Sequence, residues 1–223
     1  MTRLLAVAVA ISVPAVCSAQ DGRTFFGAFA MVSTQGSNRQ GTAPSLPTSG
    51  AGGTAIGATF EGGRTLAPRI ALGAELSLPT RFTALQATDY GRPFQQESRH
   101  RDLVLSGVVR EILVSTAHIK VGAVEGIGLV QESTIQRRRD QASPLPSFPP
   151  VFGPYSAEYA FSRVTFGVVG GGDIEIAVTR RLALVPAIRI HFIKRSDDPS
   201  EPGWALGLSP VVVRAAIGAR VTF

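Results

Sequence analysis

The strongest candidate for acid–base chemistry in this chain is His191, inside the segment Ile190-His191-Phe192-Ile193-Lys194-Arg195-Ser196. An imidazole there serves as a general base only if a nucleophile lies within hydrogen-bond reach. The next hydroxyl downstream, Ser196, is too far along the chain to fill that role simply. A histidine bonded to an interior or rim carboxylate is the competing reading. The run Gly167-Val168-Val169-Gly170-Gly171-Gly172 is glycine-rich, but Asp173-Ile174-Glu175-Ile176 follows it as a strand pattern, whereas a phosphate-cradling loop needs a helix N-terminus there. Lone Cys17 excludes a disulfide framework. The three histidines, His100, His118 and His191, have no metal-ligand spacing. No cofactor, metal or catalytic centre is therefore expected. Arg137, Arg138 and Arg139 form the one basic run, suited to phosphate because a guanidinium pairs with it bidentately.

A larger set of ionisable residues stands out by position. The last apolar segment places Val211, Val213, Ala215, Ile217, Ala219, Val221 and Phe223 on one face and Val212, Arg214, Ala216, Gly218, Arg220 and Thr222 on the other. Two more segments repeat the pattern. Leu182, Leu184, Ile188, Ile190 and Phe192 oppose Arg181, Ala183, Val185, Ala187, Arg189 and His191, while Ile70, Leu72, Ala74, Leu76 and Leu78 oppose Arg69, Ala71, Gly73, Glu75 and Ser77. Small residues interrupted by long charged ones suit the inside of a narrow barrel, where space is tight and opposite charges pair. The predicted interior charge network is Glu61, Arg69, Glu75, Arg110, Asp173, Glu175, Arg181, Arg189, Arg214 and Arg220. A soluble sandwich or lipocalin-like barrel, with its apolar faces inward, is the alternative.

The elements that must position these residues read as strands over 23–34, 53–62, 69–78, 100–113, 118–131, 158–178, 181–194 and 204–223. Long connectors at 35–52, 79–99, 132–157 and 195–203 alternate with short ones at 63–68, 114–117 and 179–180. That sorting is the habit of an outer-membrane barrel, with short turns on the periplasmic side and long loops outside. It puts Arg137, Arg138 and Arg139 in an outer loop and Tyr90, Phe94, Tyr155, Tyr159, Phe161 and Trp204 near outer strand ends, where an aromatic girdle would lie. Glu125 shares parity with Ile119, Val121, Ile127 and Leu129, which predicts a bulge or a register change there. Pro186 and Pro210 each delete a ladder donor.

Composition agrees. The 223 residues are 44% hydrophobic and 17% charged, with a net charge of +6 carried almost wholly by arginine. The arginines are dispersed, so no nucleic-acid partner is expected. Residues 1–19, MTRLLAVAVAISVPAVCSA, read as a signal peptide: Arg3, an apolar run from Leu4 to Val13, then small residues. Residues 20–223 form one domain, and nothing after residue 19 is long and apolar enough to span a bilayer as a helix.

Together the signal, the amphipathic strands and the ending Val211-Val212-Val213-Arg214-Ala215-Ala216-Ile217-Gly218-Ala219-Arg220-Val221-Thr222-Phe223 resemble a small bacterial outer-membrane β-barrel protein of the OmpA/OmpX/OmpW-like group. The resemblance covers residues 20–223. It implies an all-β fold, an eight-stranded antiparallel up-and-down transmembrane barrel behind a cleavable signal peptide, located in the cell outer membrane. It also implies Phe223 as the C-terminal signal read by the barrel-assembly machinery, with outer-membrane lipids and lipopolysaccharide as the other partners. A monomeric protein with a structural or surface-binding role, a filled polar interior and no catalysis is expected, lipopolysaccharide phosphates being the candidate ligand of Arg137, Arg138 and Arg139. Two alternatives remain open: a small-solute porin, and a lipid A deacylase-like hydrolase using His191. Such deacylases carry a serine two residues after the histidine, where this chain has Ile193.

Overall fold

A computed structural model describes residues 23–37, 52–88, 94–141, 152–196 and 207–223, and every element among them is a strand. The expected signal peptide, Tyr90 and Trp204 lie outside the described residues. The strands are β1 (Thr24–Ser37), β2 (Gly53–Ala67), β3 (Ile70–Pro79), β4 (Phe82–Thr88), β5 (Phe94–Ser115), β6 (Ile119–Gln141), β7 (Phe152–Ala177), β8 (Leu182–Ile193) and β9 (Leu208–Thr222). All pairings are antiparallel; β1 pairs with β9 and β3 pairs with β5, so the sheet closes.

The ring has eight staves although it has nine strands. β3 pairs with Val104 to Glu111 of β5, and β4 pairs with Phe94 to His100 of the same strand. β3 and β4 are thus one stave, interrupted at Thr80-Arg81, where the Thr80 N–H donates to Ile56 O at 2.7 Å. Paired residues followed once round the ring run Thr24, Arg64, Leu72, Val109, Glu125, Gly170, Ile190, Val213 and back to β1 at Thr34, ten residues beyond the start. Eight staves with that stagger tilt by roughly 40° and enclose a lumen just wide enough for side chains to fill.

The two faces sort as a membrane barrel does. Ile127 is 72% exposed on the outside, and Phe26, Ile56, Leu129, Phe166, Phe192 and Ile217 are exposed with it. Arg220, Arg214, Asp173, Glu61 and Glu75 are buried inside. A soluble barrel reverses this. Closure also satisfies the backbone without water, since every stave donates to and accepts from two neighbours, which hydrocarbon demands.

Several connectors are shorter than the sequence suggests. β6 continues to Gln141 and β7 starts at Phe152, so much of 132–157 is strand; β4 and the first part of β5 occupy much of 79–99. β4 to β7 therefore extend past the ring as a four-stranded sheet. Arg137, Arg138 and Arg139 lie on β6 of this extension, not in a loop. The polar composition that marks a loop also suits a strand standing in water on both faces.

Glu125 makes no bulge. Its neighbours keep register on both sides, Val109 on β5 and Gly170 on β7, and its side chain is exposed on the outer face. Six residues above Ile119, at roughly 2.5 Å of climb per tilted residue, it stands near the middle of an apolar band about 25 Å tall. A carboxylate facing hydrocarbon is costly, so Glu125→Leu is expected to stabilise the folded barrel in phospholipid vesicles by about 1–2 kcal/mol. A urea titration of the folded fraction in vesicles measures this; an unchanged or lower midpoint contradicts the placement.

Pro186 leaves its gap on one side only. Pairing with β9 is continuous through Pro186 and Ile217, whereas the β7–β8 ladder is missing between Asp173–Ala187 and Ile176–Leu184, with no change of register. Pro210 sits beside the irregularity where β9 meets β1 between Gln35 and Ser37.

Candidate functional site

The lumen is built in layers, because each inward-facing stripe alternates ionic and apolar residues. Along β5 the inward order from the short-turn end is Arg110, Val108, Ser106, Val104, Asp102, His100; along β8 it is Ala183, Val185, Ala187, Arg189, His191, Ile193, with Arg195 just past the strand. Val104, Val130, Ile193 and Val212 form an apolar layer between two ionic ones.

The lower ionic layer centres on Asp173. Its Oδ2 accepts from Arg110 Nε at 3.0 Å, from Arg220 Nη2 at 3.3 Å and from Arg189 Nη2 at 3.4 Å. Glu61 links two of these arginines, accepting from Arg110 Nη2 at 2.9 Å and from Arg220 Nε. Arg220 Nη1 also donates to Glu175 at 2.9 Å, and Lys120 Nζ to the other oxygen of Glu175 at 3.1 Å. Glu75 is held by Arg189, with Nη2 to Oε1 at 2.6 Å and Nε to Oε2 at 3.0 Å, while Arg189 Nη1 reaches Gly172 O at 3.0 Å. Phe25 closes the layer below, its ring 5.2 Å from the Arg110 guanidinium and 5.4 Å from that of Arg220. Gly27 makes room for Glu61: a Cβ there would stand 2.6 Å from Oε1.

Seven of the ten residues expected in the interior network, Glu61, Glu75, Arg110, Asp173, Glu175, Arg189 and Arg220, meet in this layer. Arg214 is also inside, on a partner described below. Arg69 and Arg181 are not: both are exposed in short turns, Arg69 before β3 and Arg181 before β8. Parity assigned them correctly to the inward stripe, but at a strand's first residue that stripe has already left the lumen.

The upper ionic layer was not singled out in the sequence. Arg195 clamps Asp102, Nη2 to Oδ2 at 2.7 Å and Nη1 to Oδ1 at 3.1 Å, and also donates to Glu132, which accepts from Arg163 as well. His100 bridges Asp102 and Thr134, with Nε2 2.7 Å from Asp102 Oδ1 and Nδ1 2.8 Å from Thr134 Oγ1. The Phe82 ring covers His100 at 5.5 Å. Hydroxyl, imidazole and carboxylate in series resemble an acyl-transfer relay in outline. Here Thr134 is 2% exposed and His100 1%, so no substrate reaches the hydroxyl, and Asp102 is already held by Arg195. The alternation of Ser98, His100 and Asp102 on one stripe is a readable signal, broken in the sequence reading because the strand there starts at residue 100 and leaves Ser98 in the connector.

His191 faces inward and is buried, with Nε2 unpartnered. Among the described residues no hydroxyl is hydrogen-bonded to it, so none of them serves as a nucleophile for this candidate base. In the extension, Arg137 Nε donates to Glu158 at 2.8 Å and Arg138 Nε to Asp140 at 2.9 Å. Arg139 stacks over the Tyr155 ring at 3.8 Å. Tyr155 donates to Glu97, and that bond, helped by Arg99, holds the Glu97 carboxyl below its ordinary range. Among the expected girdle residues, Tyr155 is therefore engaged with the charged sheet, while Tyr159 is exposed on it.

Closed antiparallel staves, an apolar exterior and a lumen filled with paired charges define the fold of the small outer-membrane β-barrels. The chain is similar to Ail, the attachment invasion locus protein of Yersinia pestis, in complex with the heparin analogue sucrose octasulfate: TM-score 0.50, 9% identity, 92% of this chain and 100% of that one. It is also similar to a major outer membrane protein from Thermus thermophilus (TM-score 0.49, 13% identity, 90% and 99%) and to Neisserial surface protein A (TM-score 0.47, 13% identity, 91% and 100%). No family model and no curated protein matches the chain.

Proposed function

We propose that the chain is an outer-membrane protein with a closed lumen, working as a structural scaffold that carries a charged recognition sheet, β4 to β7, into the space outside the membrane. In this reading residues 1–19 are the cleaved signal, residues 20–223 the barrel, and Phe223 the mark read by the assembly machinery. The carrying observation is the lumen. Arg110, Arg189 and Arg220 are cross-linked to Glu61, Glu75 and Asp173 across the ring, and a cavity lined by Phe29, Thr59, Glu75 and Arg214 among others is about 20 Å³, the room a water molecule needs. A porin needs a continuous path, and the apolar layer of Val104, Val130, Ile193 and Val212 interrupts one.

The outward sheet supports the binding half. Arg139 stacks on Tyr155 with its Nε buried and no carboxylate on it among the described residues, whereas Arg137 and Arg138 are engaged by Glu158 and Asp140. Any grip on lipopolysaccharide phosphates falls mainly to Arg139. The purified barrel reconstituted in planar bilayers is expected to show no stable conductance steps; well-resolved long-lived channels would defeat the closed-lumen reading.

A further inference from the structure

We infer that the lumen holds a small monovalent anion of halide type, bound by Arg214 in the upper of two internal cavities. The inference rests on the closed ring and not on where the protein resides.

The ion pairs of the lumen leave one buried arginine without a carboxylate. In the lower layer Arg110, Arg189, Arg220 and Lys120 face Glu61, Glu75, Asp173 and Glu175, four against four. In the upper layer Arg163 and Arg195 face Glu132 and Asp102, two against two. Arg214 lies between the layers and is 2% exposed. Its one bond is from Nη2 to the backbone oxygen of Asp102, at 2.8 Å, and its Nε and Nη1 are buried without partners. Among the described residues it is the only buried arginine with no carboxylate in contact. A buried charge without a counter-charge is strongly destabilising. Water would satisfy the N–H groups but not the charge; an anion does both.

Two cavities touch Arg214. The lower one is also lined by Arg189 and by two carboxylates, Glu61 and Glu75, against a single carboxylate in the upper one. The upper one, about 10 Å³, is lined by Arg101, whose Nε is likewise buried and unpartnered, and by Ser33, Gln35, Thr80 and Asp102. The Asp102 carboxylate is already neutralised by Arg195 and accepts from His100. Arg214, with two open N–H groups, therefore faces one offset carboxylate. The volume admits a single atom or ion and excludes phosphate or sulfate.

The test is the linewidth of chloride-35 in NMR spectra of the detergent-solubilised barrel, titrated with sodium chloride. The parent is expected to give saturable line broadening that sodium bromide competes away and sodium sulfate does not. Arg214→Met is expected to lose it, and Arg181→Met, at an exposed turn, to keep it. If Arg214→Met does not fold, crystals of the parent soaked in bromide decide: an anomalous peak beside Arg214 supports the site. No saturable broadening in the parent, equal broadening in a folded Arg214→Met, or no bromide peak there overturns it.

Discussion

Replacing Asp173 with alanine is expected to cost the folded barrel about 3–5 kcal/mol, the range for removing one partner from a buried ionic group. Asp173 is the single acceptor shared by Arg110, Arg189 and Arg220. Its loss leaves three guanidiniums within one layer of a narrow lumen with only Glu61, Glu75 and Glu175 to hold them. The three cations then repel one another across a space that water enters poorly. Asp173→Asn should lie between parent and alanine, because it keeps an acceptor oxygen but removes the charge. Urea titration in vesicles, read as the fraction running in the compact unboiled position on a gel, measures both. An alanine variant as stable as the parent would show that the lower layer is not a connected network.

Gly218→Val is expected to block closure of the ring. Gly218 lies opposite Phe29 on the β9–β1 seam, the pairing that joins the last strand to the first. A Cβ built on it would stand 2.1 Å from Ala28 O and 2.6 Å from the Phe29 Cα. Those are backbone atoms of a paired stave, so they cannot swing aside as a side-chain tip would. Overpacking a tight interior costs about 1–3 kcal/mol and more where backbone must move. At a closing seam the same displacement breaks several ladder bonds together. The variant should fail to yield the heat-modifiable band. Gly107→Ala is the matched control, since a Cβ there meets nothing within 4 Å, and it should fold as the parent does.

Period-two alternation made most of the ring readable before any coordinates. Val211 to Phe223 carry apolar residues on one parity and Arg214 and Arg220 on the other, and the structure places those parities outside and inside. The same reading failed where alternation runs on without a change of solvent. β6 beyond Gln131 and β7 before Glu158 carry polar residues on both faces, so the stretch reads as a loop. That error also hid Glu132, one anchor of the upper layer, whereas His100 and Asp102 fall within the strand read over 100–113. Arg69 and Arg181 show the opposite failure, since parity continues into a turn after the lumen has ended. Partnering was not readable either. Nothing in the local sequence distinguishes Arg214 from Arg189, which pair with each other in register but end on a backbone oxygen and on Glu75 respectively. That difference arises from residues brought in by β3 and β5.

The inside-out sorting of side chains is tested most directly by spin labels placed one at a time along β9, from Val211 to Val221, in a Cys17→Ser background reconstituted in lipid bilayers. Collision with dissolved oxygen, which concentrates in hydrocarbon, should be high at Val213, Ala215, Ile217 and Ala219 and low at Val212, Ala216 and Gly218, a period of two. High collision at the second set, or no alternation along the strand, contradicts a lipid-facing exterior around a charged lumen.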